Sequence, residues 1–149
     1  MSEVYIMSAT RSPVGTFGGS LKDFCPVDLG TIVAKESIKR SNISPSNIGH
    51  AVFGNVIHTE PRDMYVSRVI SLNSGLNKDS CALTVNRLCG SGLQAIVSAS
   101  QLIMLGDTDI ALAGGVEVMS SGTHVIKGFR WGTRTVSYTH LTLPTIFAV

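Results

Sequence analysis

One cysteine in this sequence stands in a setting suited to nucleophilic chemistry. Cys89 follows an apolar run at residues 81–85 and directly precedes a Gly-Ser-Gly sequence, where a long apolar helix is predicted over about residues 91–105. Gly90 and Gly92 allow a sharp bend and leave the sulfur uncovered. The unpaired N–H groups and the positive dipole end at a helix start favour the thiolate, which is the attacking species. Cys89 is therefore predicted to be a nucleophile that accepts an acyl group.

The same glycines permit a second interpretation. The sequence from Gly90 reads Gly-Ser-Gly-Leu-Gln-Ala, a G-x-G-x-x-A pattern between a predicted strand and a predicted helix, as in dinucleotide-binding modules. Two features weaken it. Residues 86–89 separate the strand from Gly90, and the acid Glu117 lies further along than the usual ribose-binding position. A dinucleotide-binding α/β module using Gly90 and Gly92 is kept as the alternative.

The other two cysteines are assigned to packing. A lone cysteine is most often a small buried hydrophobe, and nothing near Cys25 or Cys81 indicates otherwise. Three cysteines without a C-x-x-C pair argue against a disulfide scaffold and against a zinc site, so no metal is predicted. A reducing compartment fits this cysteine usage, and the first residues do not read as a secretory signal. We expect a cytoplasmic protein.

Composition excludes several classes of function. The 149 residues are 44% hydrophobic and 15% charged, which is typical of a globular protein with a substantial core. A formal net charge of +2, without clusters of basic and aromatic residues, gives no reason to expect nucleic acid binding. The uncharged run at residues 88–106 is long enough to raise a membrane span, but its glycines, serines and glutamines are too polar for one. We therefore predict no membrane partner.

Predicted strands and helices alternate along the chain, which indicates an α/β fold with a mostly parallel sheet. Strands are predicted at residues 4–7, 51–57, 81–85 and 110–113, and helices are predicted to start at Pro26, Pro61 and Ser91. In the first helix, Leu29, Ile32 and Val33 form the predicted apolar stripe. The helix at residues 91–105 is apolar on every side, so we expect protein to enclose it, from a missing half or a partner subunit.

Other candidate residues carry weaker signals. Glu117 follows the last strand and is either a general acid or base, or a carboxylate that orients backbone. The four histidines are scattered, and none is marked as a partner of Cys89. Residues 11–20 combine an arginine with four glycine or proline residues; their spacing fits no phosphate-binding signature, and an irregular surface loop is favoured.

Several separated motifs, in order, resemble the thiolase family. The resemblance covers roughly residues 3–134 and is carried by residues 11–15, 17–19, 53–56, 85–95, 106–107 and 113–120. Residues 85–95, Val-Asn-Arg-Leu-Cys-Gly-Ser-Gly-Leu-Gln-Ala, are similar to the acyl-enzyme signature of that family. Residues 59–65 are similar to bacterial β-ketothiolases, the acetyl-CoA C-acetyltransferase branch.

The resemblance implies a fold and a reaction. Thiolases join two related halves in an α-β-α-β-α arrangement with buried helices between the sheets, and this chain would be the N-terminal half. The position of Cys89 takes the acyl group of an acyl-CoA, and the carbanion of a second acetyl-CoA attacks that thioester; the reverse reaction is thiolysis of a 3-ketoacyl-CoA. Coenzyme A thioesters are thus implied as substrates in fatty acid metabolism, with no permanently bound cofactor and a homodimer or homotetramer. The residues that bind coenzyme A are left unassigned.

The sequence also departs from the family. It has no Gly-His-Pro segment for a base, no later Cys-x-Gly and no Asn-Glu-Ala-Phe-like stretch. We divide it into an N-terminal thiolase half-domain at 1–119, the start of a coenzyme A-binding loop domain at 120–134, and a tail at 135–149 that does not resemble the family. The chain alone is expected to be inactive, and a fragment without independent function is a third interpretation.

Overall fold

The computed structural model describes residues 3–125 and 127–132. Three α-helices and three strands alternate within this part of the chain, which confirms the α/β prediction. The helices are α1 (Pro26–Ser41), α2 (Val66–Asn73) and α3 (Ser91–Leu105), and the strands are β1 (His50–Gly54), β2 (Cys81–Val85) and β3 (Ala111–Gly115). Short 3-10 helices cover Pro45–Asn47, Pro61–Tyr65, Met119–Ser121 and Phe129–Trp131. The predicted tail at 135–149 lies outside the described residues.

The three strands form one parallel sheet in the order β2-β1-β3. Gly54 at the end of β1 is paired with Val85 on one side and Gly115 on the other, so the carboxyl ends of all three strands meet at one edge. The central strand β1 is buried from Ala51 to Gly54, as expected of a parallel strand covered on both faces. It ends at Gly54, three residues before the predicted end, and β3 runs on to Gly115 rather than stopping at residue 113.

Helices cover both faces of the sheet. The side chains of β1 alternate, so Ala51 and Phe53 join a core with α1 and α2, while Val52 packs with Ala95 and Ala99 of α3. This arrangement fixes α3 on the opposite face from α1 and α2. The start of α3 is thereby brought to the sheet.

The start of α1 agrees with the prediction, but its buried side does not. Pro26 is its first residue, and Lys39 and Arg40 occupy its last turn. The predicted stripe of Leu29, Ile32 and Val33 is wrong for Ile32, which is 55% exposed, whereas Leu29 and Val33 are half-buried. The helix instead buries a neighbouring side, which includes Gly30, where an added Cβ would lie 2.5 Å from Ile70 Cδ1 of α2. The buried residues of α1 are Pro26, Val27, Gly30, Thr31, Ala34 and Ile38.

The helix predicted from Pro61 is divided in two. Pro61 opens a 3-10 turn, and the α-helix begins only at Val66. The side chains of Val66 and Ile70 are fully buried. The helix ends at Asn73.

The helix α3 has the predicted bounds, but the described structure covers only one of its sides. Ala95 and Ala99 are buried, whereas Leu93 is 69% and Leu105 77% exposed. The expectation of a helix enclosed on every side is therefore not met within the described residues. The segment Leu88–Leu105 is also the one segment of the described chain that is long and apolar enough to cross a membrane by length and composition.

The prediction of a buried first strand at residues 4–7 is wrong in this structure. The chain there is extended but joins no described strand, and Tyr5, Ile6 and Met7 are 72%, 77% and 65% exposed. The following residues are instead tied to α1, because Ser8 Oγ donates a 2.8 Å hydrogen bond to Ser37 O. Continuous apolar character predicts burial only where a neighbouring strand supplies the ladder.

Candidate functional site

The candidate site lies at the carboxyl edge of the parallel sheet. Three segments leave the strands there: Asn55 follows β1, residues 86–90 follow β2, and Glu117 lies two residues beyond β3. The parallel register places these exits side by side. Ligands of open parallel sheets commonly bind beyond this edge. Cys89 lies in the segment after β2.

The turn that carries Cys89 is closed by short-range hydrogen bonds. Asn86 Oδ1 accepts from Leu88 N at 3.1 Å, and Gly90 N donates to Arg87 O at 3.0 Å. Leu88 has a φ of 49°, in the left-handed region that is unfavourable for a side chain with a Cβ. Cys89 follows this residue directly and is exposed. The thiol is thus presented from a constrained turn, one residue before the N-cap Gly90 of α3.

Ser91 closes the turn from the far side of the cysteine. Its side chain is only 5% exposed. Its hydroxyl accepts a 2.8 Å hydrogen bond from Arg87 N and donates a 2.6 Å bond to Leu88 O. Sequence reasoning missed this role, because a serine at a helix start is common and its partners are identified only by the fold of the turn.

Two glycines let the start of α3 approach the sheet. A Cβ added to Gly54 of β1 would lie 2.7 Å from the carbonyl carbon of Ser91, and one added to Gly115 of β3 would lie 3.2 Å from Gly92 Cα. Real Cβ atoms are not found so close to backbone atoms, so a larger residue at Gly54 would displace α3. These glycines therefore set the position of the Cys89 turn on the sheet edge.

Glu117 holds backbone in place. Its Oε2 accepts from Val56 N at 3.0 Å, and its Oε1 accepts from Ile57 N at 2.8 Å and from Asn55 Nδ2 at 3.2 Å. Asn55 is 1% exposed and also donates to Val116 O at 3.0 Å. Because both carboxylate oxygens are engaged, the geometry favours the orienting role over that of a general acid or base. Sequence reasoning missed Asn55, which joins the exits of β1 and β3.

The other two cysteines have different environments. Cys25 caps α1, and its sulfur accepts from Asp28 N and from Arg62 Nη2, each at 3.4 Å. Burial, followed by the nearby carboxylates of Asp28 and Glu60, raises the pKa of the Cys25 thiol to about 11. The assignment of Cys81 to packing is wrong, because Cys81 is exposed at the amino end of β2, opposite the edge that carries Cys89. Each of the three thiols is free.

Within the described residues, no side chain makes a hydrogen bond to the Cys89 thiol. Neither a histidine nor a carboxylate is bonded to it in this part of the chain. Over the same residues, no three His, Cys, Asp or Glu side chains are placed to hold a metal ion. What the described site offers is an accessible sulfur, a constrained turn and the backbone N–H groups at the start of a helix.

Comparison with known proteins identifies one family. The family model "Thiolase, N-terminal domain" matches residues 4–143. The beta-ketothiolase BktB of Cupriavidus necator is 56% identical over 132 residues, which are 89% of this chain and 34% of that protein. An acetyl-CoA acetyltransferase of Syntrophomonas wolfei is 43% identical, and the human mitochondrial 3-ketoacyl-CoA thiolase is 37% identical. Their alignments cover 89% and 88% of this chain, and 33% of each relative.

Solved structures agree with the sequence relatives. The human mitochondrial 3-ketoacyl-CoA thiolase in complex with CoA superimposes with a TM-score of 0.85 at 36% identity, over 89% of this chain and 34% of that one. The acetyl-CoA acetyltransferase of Bacillus anthracis gives 0.82 at 39% identity, over 87% and 33%. The chain spans about a third of the length of the curated relatives it matches.

Proposed function

Because the chain belongs to the thiolase family, we propose that it carries the acyl-accepting nucleophile of a thiolase-type acyltransferase. The observation that carries the proposal is the placement of Cys89: an exposed thiol on a constrained turn, next to the N-cap Gly90 of α3, at the carboxyl edge of a parallel sheet. The reaction class is supported by the relatives, which are a beta-ketothiolase, an acetyl-CoA acetyltransferase and a 3-ketoacyl-CoA thiolase.

The proposed reaction proceeds in two steps through Cys89. The Cys89 thiolate attacks the thioester carbonyl of an acyl-CoA, a C–S bond to Cys89 forms, and coenzyme A leaves with its sulfur as thiolate. The α-carbanion of an acetyl-CoA, formed by loss of a proton to a base, then attacks the Cys89 thioester, releases Cys89 as thiolate and gives a 3-ketoacyl-CoA, which is acetoacetyl-CoA when the acyl group is acetyl. Thiolysis of a 3-ketoacyl-CoA is the reverse. The intermediate divides one difficult step into two easier ones.

The described residues position the nucleophile and the backbone around it, and none of them is assigned a proton-transfer role. Each attack on a carbonyl creates an oxyanion, and backbone N–H groups beside the cysteine are suited to stabilise it. Glu117 and Asn55 keep the exits of β1 and β3 in a fixed relation at the same edge. No residue of the described chain is assigned as the base that removes the α-proton or to the coenzyme A cleft.

The partners and location proposed are those of the family. Acyl-CoA and coenzyme A are the small-molecule partners, which the CoA-bound structures of relatives support. A homodimer or homotetramer, a place in fatty acid metabolism and a cytoplasmic location complete the proposal. Three free thiols are in keeping with a reducing compartment, although relatives with mitochondrial names also match.

The nucleophile can be tested without a coenzyme A cleft. A small activated ester such as p-nitrophenyl acetate is expected to give a burst of about one p-nitrophenolate per chain as Cys89 is acetylated. The burst should be retained in the Cys25→Ser and Cys81→Ser variants and lost in Cys89→Ser. A burst that survives in Cys89→Ser would overturn the assignment.

Turnover is a separate question from nucleophilicity. We expect the 149-residue chain alone not to cleave acetoacetyl-CoA with coenzyme A, since these residues supply neither the proposed base nor the cleft. Loss of acetoacetyl-CoA absorbance measures the reaction. Turnover by this chain that Cys89→Ser abolishes would contradict this expectation while supporting the nucleophile.

A further inference from the structure

We propose that Ser91 is a positioning residue for Cys89, whose buried hydroxyl maintains the strained turn that presents the thiol. The inference rests on the proposed function of Cys89. It concerns a residue that touches neither the acyl group nor coenzyme A in the proposed reaction, and that acts only through the backbone on the two sides of the cysteine.

The hydroxyl of Ser91 spans the turn. It accepts from Arg87 N at 2.8 Å and donates to Leu88 O at 2.6 Å, so the two residues before Cys89 are tied to a residue two positions after it. Ser91 N donates a second bond to Leu88 O, at 3.0 Å. One buried side chain therefore holds the peptide group that joins Leu88 to Cys89 and the one that precedes Arg87.

The hydrogen bonds of Ser91 help to hold Leu88 in an unfavourable backbone conformation. Its φ of 49° is one of two positive values among non-glycine residues of the described chain, and its side chain is 70% exposed. An exposed leucine gains little packing in return for the left-handed conformation, which L-residues with a Cβ disfavour. Its peptide groups are instead held by Asn86 Oδ1 and by Ser91.

The site accepts only a small side chain at position 91. The Cβ of Ser91 already lies within 2.7 Å of where a Cβ on Gly54 would be, against the end of β1. Alanine keeps this Cβ and removes only the hydroxyl. In Ser91→Ala, Arg87 N loses its acceptor and Leu88 O loses one of its two hydrogen bonds, so the left-handed conformation of Leu88 and the orientation of Cys89 are held less firmly.

The readout is the reactivity of Cys89 relative to another thiol of the same molecule. Iodoacetamide alkylation is followed by peptide mass spectrometry, and the rate at Cys89 is divided by the rate at exposed Cys81. We expect Ser91→Ala to lower this ratio about two- to fivefold, the size of effect that a helix N-terminus has on a nearby anion. The measurement is made well below the melting temperature of every variant.

Ser67→Ala is a matched control. The Ser67 hydroxyl is equally buried and accepts from Phe53 N at 2.8 Å and donates to Leu83 O at 2.6 Å, the same pattern at the same distances. It lies on α2, on the opposite face of the sheet from α3. We expect Ser67→Ala to lower the melting temperature as Ser91→Ala does, with the Cys89 to Cys81 ratio unchanged.

A second variant tests the strain directly. Glycine adopts a positive φ without penalty, so Leu88→Gly added to Ser91→Ala should restore at least half of the lost ratio. The inference is overturned if Ser91→Ala lowers only the melting temperature, if Ser67→Ala lowers the ratio equally, or if Leu88→Gly restores nothing. Failure of the proposed function appears elsewhere, as an ester burst that does not depend on Cys89 in the otherwise unchanged chain.

Discussion

Replacing Gly54 with alanine is expected to push the start of α3 away from the sheet. The added Cβ would lie 2.7 Å from both the carbonyl carbon and the Cβ of Ser91, and 2.8 Å from its oxygen. Ordinary contacts between non-bonded heavy atoms are about 3.5–4.0 Å, so the helix must retreat by roughly 1 Å. The obstacle is backbone, which cannot rotate aside as a flexible side chain would.

The cost can be bounded from these distances. Overpacking a well-filled interior typically costs about 1–3 kcal/mol. Relief of the conformational freedom of glycine returns roughly 0.5–1 kcal/mol. Because all three contacts are under 3 Å and two are to backbone atoms, the upper part of the overpacking range applies, about 2–3 kcal/mol. The free energy of unfolding should therefore fall by about 1–2.5 kcal/mol, which lowers the melting temperature by about 3–8 °C for a domain of this size.

Thermal and urea unfolding followed by circular dichroism measure the effect, and Gly92→Ala is the matched control. A Cβ at Gly92, in the first turn of α3, meets nothing within 4 Å, so this variant should be as stable as the natural chain or up to about 1 kcal/mol more stable. Equal stability of Gly54→Ala and Gly92→Ala would refute the close approach of α3 to β1. A larger loss for Gly92→Ala would refute it more strongly.

Three further predictions concern the remaining cysteine, the carboxylate and the open side of α3. Since the pKa of Cys25 is raised to about 11, its alkylation should rise about tenfold per pH unit from pH 8 to 10, and the folded state should lose stability between about pH 9 and 11; a rate plateau near pH 9 would contradict this. Glu117→Ala removes three hydrogen bonds and should cost about 2–3 kcal/mol in urea unfolding, and a loss under about 0.5 kcal/mol would exclude the orienting role. Leu93→Glu and Leu105→Lys should change stability by no more than about 0.5 kcal/mol while reducing self-association in gel filtration, whereas a large loss would show that these side chains are buried.

Local patterns predicted much of the frame of this site. Glycines at 90 and 92 and the apolar run that follows located the start of α3, and strand β2 was predicted with its observed bounds. Both predictions depend only on residues that are close together in the sequence, so they do not require knowledge of the tertiary structure. The parallel sheet followed from the alternation of elements and from the continuous apolar character of residues 51–57.

Contacts between residues that are far apart in the sequence could not be predicted from local patterns. Nothing local distinguishes Gly54 from any other strand glycine until Ser91 is found against it, and Asn55 becomes notable only when Glu117 lies beside it. The side of α1 that is buried was mispredicted for a similar reason. Hydropathy favours the side with Leu29, Ile32 and Val33. The helix instead buries the side with Gly30 and Thr31, because the absence of a Cβ at Gly30 leaves room for Ile70 of α2.

The residues at 4–7 show the limit of hydropathy alone. Their side chains are as apolar as those of a buried strand, yet three of them are mostly exposed, since no described strand pairs with them. The open sides of α3 are a related case. An apolar sequence shows that a segment would gain free energy from burial, but whether it is buried depends on the elements that pack against it.

The most direct test of the central claim is to find which sulfur takes an acyl group from a thioester. The chain is treated briefly with an activated acetyl thioester, quenched in acid, digested and mapped by peptide mass spectrometry, so that all three cysteines are compared in one sample. The account predicts acetyl on Cys89 first and Cys25 almost unmodified at neutral pH. Acetylation of Cys81 or Cys25 ahead of Cys89 would contradict it.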